Sequence, residues 1–132
     1  MRIDNHLLAI TNAMLKDKKN WIWVSDDQKN EFFFIINRLL AKRFPEKAQL
    51  LNLKSIDKVA GLNLWFHFMK DKPYPNWIWS KSEKEKGPIA DGDYKLLLQN
   101  LKIKDIDLDY LIEYHFDFVK EELNYFKKLE KQ

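Results

Sequence analysis

Apolar residues recur at every third or fourth position along most of this chain, with charged residues between them. The recurrence from Leu7 to Met14 predicts a first helix over 5–16, with Asp4 or Asn5 as its N-cap. After the charged break KDKKN, the stretch SDDQKNEFFFIINRLLAKRF follows the same period. It predicts a second, longer helix.

The second helix carries clear signals of where it begins and ends. Ser25 stands three residues before Gln28, which is the spacing of a capping box. Pro45 disfavours helical geometry in the residue before it, so the helix should end near Phe44. A broad apolar stripe predicts burial on most sides. The stripe consists of Phe32, Ile35, Ile36, Leu39 and Leu40, widened by Phe33 and Phe34.

The remaining helices are shorter or less sharply bounded. Pro45 can open the short helix PEKAQLLNL, and Ser55 caps IDKVAGLNLWFHFMKD. The stretch SKSEKEKGPIADGD is the most polar, and we interpret it as a loop or hinge before the short helix YKLLLQNLK. The C-terminal segment fits one long helix, or two with a break near Asp117.

These elements predict an all-α fold, a compact bundle of about five to seven helices in a single domain. Residues 1–86 would form a helical core that contains both copies of the tetrapeptide NWIW, and 87–132 a C-terminal helical segment that could pack on the same core. The chain has only 3 Gly and 4 Pro, which leaves little turn chemistry for a protein of many strands.

Composition narrows the environment of the protein. The chain is 45% hydrophobic, which supports a packed globule, and it has no cysteine, which suits a reducing compartment. It has no apolar run long enough to span a membrane, and its N-terminus becomes charged too soon for a secretory signal. We therefore expect a soluble, cytoplasmic protein, in the host cytoplasm if its source is a virus.

Charge is spread unevenly around the formal net value of +3. Residues 1–86 hold 16 Lys and Arg against 10 Asp and Glu, a balance of +6, whereas 87–132 hold 7 against 10, a balance of −3. A basic front and an acidic back suit a protein that touches a polyanion or an acidic partner on one side. A chance imbalance on a solvated surface explains the pattern equally well.

The side chains that catalysis needs do not occur in recognisable combinations. His6, His67 and His115 lack metal-binding spacings, and the last two lie among aromatic residues, as core or boundary histidines do. There is no phosphate-binding glycine loop, no GxSxG motif and no cysteine nucleophile. Acidic pairs sit at helix starts and on polar faces, where solvation explains them. We therefore predict a protein that is not an enzyme and has no metal site or cofactor.

The tetrapeptide NWIW occurs at 20–23 and again at 76–79, and the two copies hold four of the five tryptophans. In a strand, both indole rings of a copy would point to one side and the isoleucine to the other. Five lysines between positions 70 and 86 flank the second copy, and such rings beside lysines make good interface anchors and platforms for nucleic-acid bases. The alternative is that the rings only close the ends of a helical bundle. This alternative is favoured for the first copy, whereas neither interpretation is favoured for the second.

Five short motifs follow one another in the middle of the chain. They are Asn37 with Arg38 after an aromatic–aliphatic run, Phe44 before Pro45, Asn52, the pair Phe68 and Met69, and Trp79, Ser80 and Lys81 after a basic stretch. In this order and spacing, 31–81 resembles the small subunit of the clamp loader of T-even-type bacteriophages. The sequence IEYHFDFVKEELNYFKKL is similar to the closing helices of that family, which favours the break near Asp117.

The resemblance implies a helical subunit without a nucleotide-binding module, which occupies one position in a ring with several copies of an ATPase subunit. Such an assembly opens a sliding clamp and closes it around primer–template DNA. The implied partners are therefore the ATPase large subunit and the sliding clamp, with contact to the DNA as a further option. The implied role is that of a non-catalytic accessory subunit in phage DNA replication.

Six residues are candidates for contact with a partner or with DNA: Arg38, Lys72, Tyr74, Trp77, Trp79 and Lys81. Of these, the two tryptophans and Lys81 form the expected exposed edge. Asn37 is better explained as a buried polar residue that satisfies backbone groups between helices, and Arg38 stays undecided between the two roles.

Two other functions stay open at this point. One is a small helical protein-binding module of a phage or mobile element, such as an adaptor, an inhibitor of a host protein or a virion-associated protein. The other is a direct DNA or RNA binder that uses the basic front face, which would bind single strands with a steep salt dependence.

Overall fold

The computed structural model describes residues 2–52, 56–79 and 89–130. Within these ranges it contains seven α-helices, two 3-10 turns and no β-strand, which confirms the predicted all-α class. The chain divides into two compact units, Met1–Pro75 (unit 1) and Asn76–Gln132 (unit 2). Ser55, Ser80 and Lys81 lie outside the described residues. The cap of the helix Lys58–Met69 is Asp57, whose side chain accepts from the Ala60 N–H at 3.1 Å, so the prediction of Ser55 as its cap was wrong.

Each unit is built from helices and the turns between them. Unit 1 contains α1 (Leu7–Leu15), the first 3-10 turn (Lys18–Trp23), α2 (Asp26–Leu40), α3 (Pro45–Leu51) and α4 (Lys58–Met69). Unit 2 contains the second 3-10 turn (Asn76–Trp79), α5 (Asp91–Leu101), α6 (Asp105–Tyr114) and α7 (Phe116–Glu130).

The N-terminus of α2 is fixed as the sequence predicts. The Ser25 hydroxyl accepts a hydrogen bond from the Gln28 N–H at 3.1 Å, and the Gln28 side-chain oxygen accepts one from the Ser25 N–H at 3.0 Å. In α1 the cap is His6, whose Nδ1 accepts from the Ala9 N–H at 3.1 Å. The prediction of an Asp or Asn cap was wrong because an imidazole nitrogen can accept this bond as a carboxylate does.

The second helix ends at Leu40, earlier than predicted. The N–H groups of Arg43 and Phe44 both donate to the Leu40 carbonyl, at 3.2 and 3.0 Å, so a tight turn leads to Pro45. Pro45 then opens α3, as predicted, because its missing N–H is not needed in the first turn of a helix. The turn brings Arg43 and Phe44 to the start of α3.

A close approach joins α2 and α4 where Gly61 faces Phe33. A Cβ atom at Gly61 would lie 2.7 Å from Cε2 of the buried Phe33 ring, so this contact requires glycine. The other apolar residues of the predicted stripe are buried, but Phe34 is 38% exposed, so the prediction that Phe34 widens the buried stripe was wrong. The face that carries Phe34 meets solvent because α1, α3 and α4 contact the rest of the helix.

A buried amide connects three helices of unit 1. Asn37 on α2 donates from Nδ2 to the Ala48 carbonyl of α3 at 3.2 Å, and its Oδ1 accepts from the Trp65 indole N–H of α4 at 2.8 Å. Trp65 is fully buried, so its N–H needs an acceptor inside the protein. The prediction that Asn37 is a buried polar residue serving groups between helices is confirmed.

In unit 2, α5 and α6 both contact α7. Helix α5 begins at Asp91, inside the stretch interpreted as a loop, and Asp91 and Asp93 place negative charge at its N-terminus, where the helix dipole favours it. Helices α6 and α7 are separate and meet at His115, close to the predicted break. The buried apolar side chains include Leu97, Leu101, Leu108, Leu111, Phe116 and Val119.

Both copies of NWIW form 3-10 turns, not the strand for which the positions of their side chains were considered. With three residues per turn, successive side chains of a 3-10 turn point about 120° apart, and the two tryptophans of a copy cannot share a face as they would in a strand. The first copy buries Trp21 and exposes Ile22, whereas the second buries Ile78.

Candidate functional site

A cluster of cations and aromatic rings surrounds Phe68, near the end of α4. Lys47 Nζ and Lys72 Nζ lie 4.7 and 4.4 Å from the centroid of its ring, within the range of cation–π attraction. The rings of Phe44 and Trp65 pack edge-on against it, with centroids 5.1 and 5.9 Å away. Because Trp65 is fully buried, the Phe68 ring is anchored to the core of unit 1.

A groove of about 510 Å³ opens beside this ring. We call it the α3–α4 groove. Part of its wall is apolar and open to solvent, since Leu50 is 65% exposed. Its lining residues are Arg43, Phe44, Pro45, Glu46, Lys47, Leu50 and Phe68.

The rim of the α3–α4 groove is positively charged. Arg43 and Lys47 line it together with Glu46, which contributes one carboxylate. Lys72 is not a lining residue, but its ammonium lies over the Phe68 ring that borders the groove. Within the described residues, neither lysine ammonium forms an ion pair, so no direct carboxylate contact neutralises them there. The groove therefore combines an apolar wall with an excess of positive charge.

The position of Lys72 is set by a residue far away in the sequence. Lys18 Nζ donates to the carbonyl oxygens of Lys70 and Lys72, at 2.9 and 2.7 Å, where a helix C-terminus favours a cation. These bonds fix the backbone that leaves α4. They hold Lys72 where its side chain reaches back over Phe68.

The sequence prediction included Lys72 but missed Arg43, Lys47 and Leu50. The segment KRFPEK, in which basic residues surround a Phe–Pro step, is the signal that could have found the two cations. They become neighbours of one groove only because a tight turn separates α2 from α3. Leu50 follows Lys47 by three residues on α3 and so faces the same side of that helix.

Two other predicted contact residues of unit 1 do not line the groove. Arg38 is exposed on α2, and its guanidinium carbon lies 4.8 Å from the centroid of the Phe34 ring. Tyr74 is half-buried, and burial raises the pKa of its hydroxyl above the ordinary value. Of the predicted contact residues in this unit, only Lys72 belongs to the cluster around Phe68.

In unit 2, Trp79 packs among aromatic rings. Tyr110, Tyr114 and His115 meet it edge-on, with ring centroids 6.1, 5.5 and 5.4 Å away. His115 is buried, as predicted, and its Nε2 donates to the carbonyl oxygen of Ile78. The same prediction was wrong for His67 of unit 1, which is exposed. Trp79 is therefore held by its own unit and is only half-exposed.

The expected contact edge of the second NWIW is described only in part. Trp77 is half-buried, like Trp79, and Lys81 lies outside the described residues. The structure thus brings Trp79 together with tyrosines and a histidine, and it gives the two tryptophans less exposure than a free contact edge would have.

The first 3-10 turn presents a second exposed apolar surface. Ile22 is 77% exposed and Trp23 is 47% exposed. Trp23 borders a cleft of about 360 Å³ that also carries Arg2, Asp27 and Glu31. Because this cleft mixes both signs of charge, it gives a less definite indication of its partner than the α3–α4 groove does.

Comparisons of the chain with protein-family models, curated proteins and solved structures found no match. In the part of the chain that the structure describes, no group of three or more His, Cys, Asp or Glu is arranged to hold a metal ion. No helix of that part is long and apolar enough to cross a membrane.

Proposed function

We propose that this protein is a non-catalytic accessory subunit of a phage DNA-replication clamp loader. It would act with an ATPase partner to load a sliding clamp at primer–template DNA, in the cytoplasm of the host cell. The proposal starts from the ordered motifs between residues 31 and 81, which resemble those of the small subunit of such loaders.

The observation that carries the proposal is that three of those motifs meet in one part of unit 1. Phe44 and Pro45 begin α3 and line the α3–α4 groove, and Phe68 supplies its central ring. Asn37 holds the helices that form this groove together. Motif residues that build a surface suit a subunit that works through contacts, with the chemistry done by a neighbouring ATPase.

Affinity purification from the native source tests the proposal. Tagged protein should retain a P-loop ATPase and a sliding clamp, identified by mass spectrometry. With purified components, ATP hydrolysis that depends on clamp and primer–template DNA should increase when this protein is added, and the protein alone should hydrolyse no ATP. Recovery of neither partner from a source that expresses both would refute the proposal.

The proposed loader would also meet primer–template DNA, and cations of unit 1 are candidates for that contact. Arg38 is exposed on α2 and is not among the residues that line the α3–α4 groove. If it contacts a phosphate, Arg38→Ala should make the dependence of log affinity on log salt shallower by about one unit, measured on the assembled loader. An unchanged slope would place the DNA contact elsewhere.

A second candidate, a small helical protein-binding module of a phage or mobile element, is favoured by the first 3-10 turn. Large apolar side chains as exposed as Ile22 and Trp23 are common anchors of protein interfaces. An adaptor, a host-protein inhibitor or a virion-associated protein could use this surface without a clamp loader. Retention of one unrelated host or virion protein, with no ATPase, would support this candidate instead.

A further inference from the structure

The α3–α4 groove concentrates positive charge on a small area. Lys47 Nζ and Lys72 Nζ lie 4.7 and 4.4 Å from the same ring centroid, so their separation cannot exceed the sum of these distances. That sum is within about 10 Å, the screening length at 0.1 M salt, and the two ammonium groups therefore repel each other. Arg43 adds a third positive charge to the rim. An anion beside the lysines would relieve this repulsion.

The same groove has an apolar wall that remains open to water. Leu50 is 65% exposed, and Pro45 and Phe44 line the groove beside it. One bulky apolar side chain of a partner would remove this surface from water. Acidic residues on either side of that side chain would then lie near the lysines, which gives charge complementarity as well as burial.

A single-stranded nucleic acid suits this groove less well than a peptide does. Stacking of a base needs an open aromatic face. The Phe68 ring has two ammonium groups within 4.7 Å of its centroid and the edges of Phe44 and Trp65 against it. A peptide side chain needs only an apolar surface, which Leu50 provides.

We propose that the α3–α4 groove binds an acidic peptide segment of a protein partner. One bulky apolar side chain of the segment packs against Leu50 and Pro45, and its carboxylates lie beside Lys47 and Lys72. This inference rests on the proposed function as a binding subunit, and it defines the chemistry that a partner must present to this groove.

Fluorescence anisotropy with the full chain tests the inference. The probe is a short fluorescein-labelled peptide of Asp and Glu residues with one central Phe. One control peptide has Ala in place of the Phe, and another has Lys in place of the acidic residues. We expect binding that requires both the Phe and the acidic residues and that weakens as salt is raised.

Variants of the groove make the test specific. The Lys47→Glu/Lys72→Glu variant should lower the affinity for the acidic peptide by about tenfold or more, because attraction becomes repulsion. Leu50→Ala, at an exposed position that leaves the fold intact, should lower it severalfold. The matched control is Lys19→Glu/Lys58→Glu, which changes the net charge equally at exposed positions outside the groove and should bind as the unaltered protein does.

Three results would overturn the inference. Equal affinity for the acidic and control peptides would exclude the assigned chemistry. Oligothymidylate that displaces the peptide at comparable concentration would indicate a nucleic-acid groove. Sedimentation that shows self-association, lost in the Lys47→Glu/Lys72→Glu variant, would indicate a second copy of this chain as the occupant.

Failure of this inference can be distinguished from failure of the proposed function. If affinity purification retains ATPase and clamp but the peptide does not bind, the groove assignment is wrong and the proposed function stands. If the peptide binds as expected but neither ATPase nor clamp is retained, the clamp-loader function is wrong and the groove assignment stands.

Discussion

The two NWIW turns share four residues and a 3-10 backbone, yet they bury different side chains. In the first turn Trp21 is 5% exposed and Ile22 is 77% exposed, whereas in the second Ile78 is fully buried and both tryptophans are half-buried. The tetrapeptide is therefore compatible with one local conformation in both places. The surroundings decide which of its side chains enters the core.

The surroundings of the two turns differ in kind. Trp21 stacks on Phe66, with centroids 5.0 Å apart and planes 13° from parallel, and its indole N–H donates to Asn63 Oδ1 at 3.1 Å. In the second turn, rings meet Trp79 by their edges, and His115 binds the carbonyl of Ile78. A stacked ring with its N–H satisfied is a structural residue. A ring held edge-on keeps part of its surface for other contacts.

Among the substitutions that test this difference between the turns, Trp21→Ala should lower stability the most. It removes a buried ring, its stacking on Phe66 and its hydrogen bond to Asn63. We expect the free energy of unfolding, measured by urea denaturation, to fall by about 3–5 kcal/mol. Trp23→Ala in the same turn is the control and should cost less than about 1 kcal/mol, because Trp23 is exposed. Equal losses would mean that both rings of this turn are structural.

Ile22 and Ile78 occupy the same position in the two NWIW turns, so substituting each of them tests the difference in burial at that position. Ile78→Ala should lower the free energy of unfolding by about 2–5 kcal/mol, because it leaves a cavity where a fully buried side chain was. Ile22→Ala, the same substitution in the same tetrapeptide, should change it by about 0.5 kcal/mol or less. Similar costs at the two positions would contradict the difference in burial between the turns.

A smaller effect should follow when Trp21 keeps its ring but loses its acceptor. Asn63→Ala leaves the partly buried indole N–H unpaired and should cost about 1–2 kcal/mol of unfolding free energy. In a Trp21→Phe background, which has no N–H to satisfy, the same change should cost clearly less. This double-mutant cycle isolates the hydrogen bond, and equal costs in both backgrounds would show that it contributes nothing.

The smallest expected effect concerns a tyrosine of unit 2, the unit that contains the second NWIW turn. Tyr94 of unit 2 donates to Asp109 Oδ1 at 2.7 Å. Desolvation, and then the hydrogen bond and charge of Asp109, raise its pKa from 10.0 to about 12. Because the folded protein holds this proton more tightly than the unfolded chain, the resulting stability is present below pH 10.0 and is lost as pH rises towards 12.

Tyr94→Phe should therefore make the fall in stability over this alkaline range shallower, as measured by urea denaturation at a series of pH values. Tyr125→Phe, at an exposed position in the same unit, is the control and should leave the pH dependence as it is in the unaltered protein. An unchanged slope in Tyr94→Phe would show that the folded protein does not hold the Tyr94 proton more tightly than the unfolded chain does.

The elements of this fold that could be predicted from the sequence are those determined by residues close together along the chain. The capping box of Ser25 and Gln28 and the helix start at Pro45 each depend on residues within one helical turn, and both are present. The conformation of NWIW could not be read in this way, because alternating Trp and Ile have the same pattern as a strand. What fixes Trp21 is Asn63 and Phe66, which lie on another helix.

The candidate site was predictable only in part for the same reason. Lys72 was identified from the basic residues before the second NWIW, but its contact with Phe68 depends on Lys18, which comes from the first turn. The position of Lys47 beside the same ring depends on the tight turn before α3. Such distant contacts leave no local period or spacing in the sequence.

The Asn37 amide has a consequence for the motions of unit 1. Its two ends are chemically different, and each serves a group on another helix, Ala48 on α3 and Trp65 on α4. Neither helix can detach from α2 without leaving a buried polar group unpaired, which makes small local openings costly. The three helices should therefore open together, and the Trp65 indole proton should be among the slowest to exchange with deuterium in the protein.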